Sequence, residues 1–236
     1  MKKFILKTCI FLTICIILDI IIGIGTDFLH KSSKGGIIKK DEYIKDKLHA
    51  DIVIIGSSRA AHHYVSNLLA DSLGCTVYNT GIDGKGIIMN YGVLLEITNR
   101  YIPKTIIYEL TPILDYLKRD NEKDLINLKH AYGIRGIDSI FWDVNHNERI
   151  KMISRSYRIN SLLPAIISCN IFTENDTLNG YVPLWNRLEG KRSNKVFDTE
   201  SLDTLKLKYL QKFINLCRKD SINLIFAISP SVSVQK

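Results

Sequence analysis

The chain has 236 residues, 46% hydrophobic and 24% charged, a balance that fits a folded domain and excludes both a disordered chain and a polytopic membrane protein. Its formal charge of +8 is scattered rather than gathered into a basic stripe with interleaved aromatics, so nucleic acid is not an expected partner. Of its five cysteines, Cys9 and Cys15 fall in an apolar stretch, and Cys75, Cys169 and Cys217 have no metal-ligand spacing, so neither a metal, a cofactor nor a disulfide framework is expected.

From Phe4 to Ile24 the chain is apolar except for Lys7 and Asp19, behind a positive leading edge of Lys2 and Lys3. Residues 1–28 therefore read as a membrane anchor or an export signal, since about 17 to 25 apolar residues suffice to cross a bilayer. The only small residues at its end are Gly23 and Gly25, without an A-x-A-like cleavage site, which favours an uncleaved anchor with the membrane as partner. Asp19 lies near the far end, where a carboxylate approaches the interface at less cost than at the bilayer centre. The positive-inside rule then places the rest of the chain on the extracytoplasmic side, periplasmic or extracellular. Residues 29–48, with Lys31-Ser32-Ser33-Lys34-Gly35-Gly36, read as a polar linker.

Residues 49–236 read as an α/β domain. Asp51 to Gly56 is a β-branched run of the kind buried on both faces of a parallel sheet. A helix is expected from about Ala60 to Leu73, a second strand over Cys75 to Asn79, a shaped loop over Gly81 to Gly86, and a helix from Ile87 to Tyr101. Thr105 to Leu110 reads as a third strand that Pro112 stops. Residues 113–200 show helical pieces near Glu122 to His130 and Glu148 to Leu163 without strand alternation, as an inserted cap would. Ser201 to Lys219 reads as an amphipathic helix with Leu202, Leu205, Tyr209, Phe213 and Leu216 on one side, and Asn223 to Ser229 as a fourth strand. Strands alternating with helices imply a doubly wound parallel sheet with its site at the C-terminal strand ends.

The chemistry concentrates at those ends. Gly56-Ser57-Ser58-Arg59 follows the first strand and opens a helix, a geometry that suits a nucleophile near free N–H groups. It equally suits a plain helix cap by Ser57 or Ser58. Ile54-Ile55-Gly56-Ser57-Ser58-Arg59 resembles the first block of the SGNH, or GDSL-like, serine hydrolases, and Val77 to Gly84 resembles the second. The resemblance implies a flavodoxin-like, three-layer α/β/α fold. It also implies Ser58 as nucleophile, Ser57 in place of the usual aspartate, and the Ser58 and Gly84 N–H groups as an oxyanion hole. Asn79 and Arg59 join His62 and His63 as candidate substrate contacts. Arg59 has the alternative of pairing with Asp83 or Glu109. At the third block the chain carries Glu109-Leu110-Thr111-Pro112 where the family has an asparagine, leaving Thr111 as a substitute donor. The family's Asp-x-x-His block, which supplies the base, has no counterpart before Lys236, so the domain reads as C-terminally incomplete.

His62 lies one helical turn after Ser58, but side chains on one helix face seldom reach the line a base needs. His130 and His146 read as surface or packing histidines. Tyr132, Trp142, Tyr157, Tyr181 and Trp185 fit either a lid over a sugar-like substrate or core packing. The expectation that follows is a membrane-anchored serine esterase or O-acyl hydrolase acting on a small-molecule or glycan ester, including acylated cell-envelope glycans. Its activity would be impaired by the missing histidine. The alternatives are a cell-envelope acyltransferase using the same serine and a non-catalytic remnant or glycan-binding module.

Overall fold

The computed structural model describes residues 1–171, 178–184 and 201–230. Helix α1 (Lys2–Lys31) is one unbroken 30-residue helix, long and apolar enough to cross a membrane, and its apolar window is not buried against the domain. Helix α2 (Gly36–Asp46) follows after a short turn. Where the sequence reads as a polar linker, α2 instead packs into the domain, with Ile38, Ile44 and Leu48 at or below 2% exposure. The Arg100 guanidinium ties down its end by donating to the Ile44 and Leu48 carbonyls, each at 2.8 Å.

Strands β1 (Ile52–Gly56), β2 (Val77–Asn79), β3 (Thr105–Glu109) and β4 (Asn223–Ala227) form an all-parallel sheet in the order β2-β1-β3-β4. Val53, Ile54 and Ile55 are fully buried because β1 is covered on both faces, as its unbroken apolar run requires. Val53 and Ile55 face the main core, with residues of α5 (Ile87–Thr98) and α12 (Thr204–Lys219). Ile54 packs the other way, against Ala60 of α3 (Ser58–His63) and Leu69 of α4 (Ser66–Leu73). The register pairs Ile54 with Asn79 and Ile107, and Gly56 with Glu109, so the loops leaving β1, β2 and β3 open at one end of the sheet. Strand β4 pairs only with β3 among the described residues, and Ile225 and Phe226 remain 45% and 41% exposed.

Several boundaries depart from the sequence pattern for identifiable reasons. The helix expected over Ala60–Leu73 is broken at Tyr64 and Val65, both extended, and the Tyr64 hydroxyl donates to the Glu109 carboxylate. Pro112 does not merely stop β3. It starts helix α6 (Pro112–Asp115), where its missing N–H costs nothing. Helix α12 begins at Thr204 because Asp203 accepts from the Leu205 and Lys206 N–H groups, which leaves Leu202 outside the helix and 58% exposed.

Between α6 and α12 lie α7 (Asn121–Asp124), a 3-10 turn (Ile126–Ala131), α8 (Ile137–Val144), α9 (Glu148–Lys151), α10 (Arg155–Asn160) and α11 (Leu163–Ile171). In this stretch, expected as a helical insert or cap, α10 and α11 pack against α1 and α2. Asp19 makes the contact specific, accepting from Ser154 Oγ at 2.6 Å, Arg155 N at 2.9 Å and Ser156 N at 3.0 Å. Gly23 allows the close approach, since a Cβ there would lie 2.4 Å from Arg155 Cβ.

Candidate active site at the strand ends

The β1 turn divides its two serines between different tasks. Ser57 is 2% exposed and its hydroxyl lies 2.7 Å from Thr111 Oγ1, tying the loop after β1 to the loop after β3. Ser58 is the first residue of α3 and partly exposed, and its hydroxyl has no hydrogen-bond partner among the described residues. The sequence offered either serine as a cap. Neither side chain caps α3.

The loop after β2 is clamped onto the end of β1. Thr80 bonds the Ile54 carbonyl through both its N–H, at 2.8 Å, and its hydroxyl, at 2.9 Å, and the Ile82 N–H donates to the Gly56 carbonyl at 3.2 Å. Gly81 is where this approach is closest, because a Cβ there would stand 2.4 Å from the Ala61 nitrogen. Gly84 is glycine for another reason. Its φ of +71° lies in the left-handed region, while nothing lies within 4 Å of where its Cβ would be. Gly84 is thus an exposed residue of the loop that leaves β2.

Asn79 is fully buried. Its amide donates to the Ala60 carbonyl at 2.6 Å and the Tyr64 carbonyl at 3.1 Å and accepts from the Gly81 N–H at 2.9 Å. The side chain expected at a substrate is therefore engaged on both ends by backbone, where it fixes the α3–α4 break and the Gly81 loop. Arg59, expected to pair with Asp83 or Glu109, has no carboxylate partner among the described residues, because both acids are engaged elsewhere. Glu109 is fully buried and accepts from the Ser229 N–H at 2.8 Å and from Tyr64. Thr111 is not a free donor either. Its N–H points to Asp115 Oδ2 at 2.6 Å, and Tyr108 donates to the other oxygen at 2.8 Å. Burial pushes the Asp115 carboxyl up to about 6 against these bonds.

His62 is held between two acceptors, the Val182 carbonyl 2.7 Å from Nδ1 and the Asp83 carboxylate 3.0 Å from Nε2. Neither ring nitrogen of His62 bonds the Ser58 hydroxyl. His63 is exposed. The sequence supplied His62 as a candidate contact and Asp83 only as a pairing partner for Arg59, and what it lacked was Val182, which arrives from 120 residues away.

Together Ala61, His62, Gly81, Asp83, Lys85 and Tyr181 wall a cleft of about 730 Å³. The buried Lys40 ammonium joins its sides by donating to the Gly81 and Gly180 carbonyls, each at 2.9 Å. Ser58 and Arg59 stand beside this cleft rather than in its wall. Of the aromatic residues expected to form a lid, Tyr181 lines the cleft, whereas Tyr132, Trp142 and Tyr157 pack under Arg158, Arg149 and Lys129 within the insert. Trp185 lies outside the described residues. His130 is a packing histidine, stacked on His30 at 5.4 Å, and His146 is exposed. Compared with family models, curated proteins and solved structures, the chain matches none.

Proposed function

We propose that the domain is a flavodoxin-like, three-layer serine hydrolase of SGNH type, held at the membrane by α1 on the extracytoplasmic side and acting on ester-linked acyl groups, with Ser58 as nucleophile. The observation that carries this reading is the partly exposed, unpartnered Ser58 hydroxyl at the C-terminal end of the central strand, beside the glycine loop that bonds the Gly56 carbonyl. In the chemistry this implies, Ser58 Oγ attacks the ester carbonyl, the Ser58 and Gly84 N–H groups receive the negative oxygen of the tetrahedral intermediate, and its collapse expels the alcohol, protonated from water, and leaves an acyl-enzyme that water then hydrolyses. No histidine among the described residues bonds the Ser58 hydroxyl, so its proton passes to solvent and turnover is slow. Residual catalysis of about 10³-fold to 10⁴-fold over water is typical of triad enzymes stripped to binding and oxyanion hole.

Labelling with a fluorophosphonate probe tests the assignment. The parent chain and Ser57→Ala are expected to label and to release p-nitrophenol from p-nitrophenyl acetate, and Ser58→Ala to do neither. Equal labelling of Ser58→Ala and parent removes Ser58 from the role.

A second reading, a binding module for a glycan or other small polar ligand without chemistry, is favoured by one specific observation. The cleft is lined by His62, Asp83 and Lys85 and not by Ser58. On that reading His62→Ala abolishes ligand binding and neither chain labels.

A further inference from the structure

Where the domain-side end of α1 meets α2 and α10, a pocket of about 330 Å³ gathers five basic side chains, Lys31, Lys45, Lys129, Arg155 and Arg158, against the two carboxylates Asp27 and Glu42. Glu42 is already engaged, accepting from His30 Nδ1 at 2.7 Å with the Lys45 ammonium 3.9 Å away. The Arg158 guanidinium is fixed by its Nε donating to the Met152 carbonyl at 2.6 Å and by stacking 4.6 Å above the Tyr132 ring. Its terminal nitrogens have no acceptor among the described residues. Lys129 is 8% exposed, sits 4.2 Å over the Tyr157 ring and has no carboxylate within ion-pair distance among those residues. His30 is 6% exposed, and its Nε2 is buried with no hydrogen-bond partner.

Buried donors are rarely left without acceptors, and a planar guanidinium beside ammonium groups matches the oxygens of a phosphate. Position along α1 says where such a phosphate comes from. The N-terminus of α10 bonds Asp19, so the hydrocarbon layer ends near Asp19 and takes in about 22 Å of helix from Phe4 to Leu18 at about 1.5 Å per residue. Asp27 and Lys31 lie about two and three turns beyond Asp19, on the headgroup side of that edge. Ile159 and Leu162 give the same pocket an apolar side, and Ile153, Ile167 and Ile171 are 73%, 46% and 65% exposed on the surrounding segments.

We propose that this pocket binds the phosphate of an anionic lipid headgroup at the membrane surface. The inference rests on α1 as a membrane span and is independent of any chemistry at Ser58.

The test is competitive lipid retention by the full chain, reconstituted in nanodiscs of mixed phosphatidylglycerol and phosphatidylcholine and read by native mass spectrometry. The parent is expected to retain phosphatidylglycerol selectively. Arg158→Gln is expected to reduce that preference about tenfold, the scale of one charge-assisted hydrogen bond. Because Arg158 also packs on Tyr132, the double variant Lys31→Gln/Lys45→Gln, which disturbs no core contact, is measured alongside and is expected to fall similarly. Lys118→Gln/Lys219→Gln, with the same loss of charge elsewhere, is expected to behave as the parent. Equal retention of both lipids by the parent, or an equal fall in the remote variant, overturns the proposal. So does protection of the detergent-solubilised chain by inorganic phosphate as strong as by phosphatidylglycerol, which reassigns the pocket to a free anion.

Discussion

Gly81 and Gly84 share one loop and are glycine for different reasons, which makes them separable by mutation. Alanine at Gly81 puts a methyl 2.4 Å from the Ala61 backbone nitrogen, an atom that α3 cannot easily move aside. Overpacking of this kind typically costs about 1–3 kcal/mol, and the upper end is expected here. Alanine at Gly84 meets open space and pays only for its left-handed φ of +71°, about 1 kcal/mol. Urea unfolding of the two variants checks the order, and a Gly84→Ala chain less stable than Gly81→Ala contradicts it. The sequence made the glycine loop legible but did not say which glycine was wedged against backbone. The same holds for Asn79 and Arg59. Position relative to a strand end is local information, whereas the carbonyls that engage Asn79 belong to Ala60 and Tyr64, fixed only once the α3–α4 break forms.

Among the elements, β1 was readable because four consecutive apolar, mostly β-branched residues have few alternatives to a strand buried on both faces. The break at Tyr64 was not, since it depends on a phenol reaching Glu109, 45 residues away. Helix α2 was missed although Ile37, Ile38 and Ile44 carry its apolar side, because its lysines and the preceding glycines matched a linker. Asp19 illustrates the same limit from the membrane side. Read as a tolerated charge near the interface, it proves to receive the N-terminus of α10. Replacing it with alanine leaves the Ser154 cap of α10 in place but removes the acceptor of the Arg155 and Ser156 N–H groups, a loss of about 1–3 kcal/mol for hydrogen bonds to a charged group. Asp19→Ala is therefore expected to speed hydrogen exchange at the first amides of α10 while leaving those of α12 unchanged. Equal protection of α10 in both chains contradicts the tie.

At the scale of the whole molecule, buried ionisable groups set a pH optimum for stability. Burial raises Asp115 to about 6 and Asp41 to about 7, so each contributes fully below its ordinary value of 3.8 and loses that contribution as pH rises through its folded value. Burial pulls His130 down, but the Glu96 carboxylate 3.6 Å from its Nε2 outweighs that and raises it to about 9. The His130 contribution is complete below 6.5 and disappears as pH climbs through 9. Glu42 acts in the opposite direction. The hydrogen bond from His30 lowers it to about 2, so its contribution is present above 4.5 and lost as pH falls through 2. Stability should peak at about pH 4 and decline from there toward pH 9, the Asp115 share, about 3 kcal/mol at 1.36 kcal/mol per pH unit, being lost between pH 3.8 and 6. Melting temperatures across pH 3 to 9 test this, and a maximum above about pH 8 is incompatible with it.

The Asp19 contact also bears on the kind of attachment that α1, as a membrane span, would provide. A flexible tether lets a domain sample every height and tilt above a bilayer. A helix that continues unbroken to Lys31, with α10 and α11 packed along it, behaves as a rigid mast. On the proposed membrane-anchored reading, the Ser58 turn works at one altitude and one bearing and meets only groups presented at that distance. Reach, set by the mast, would then be a selectivity filter that acts before any pocket does.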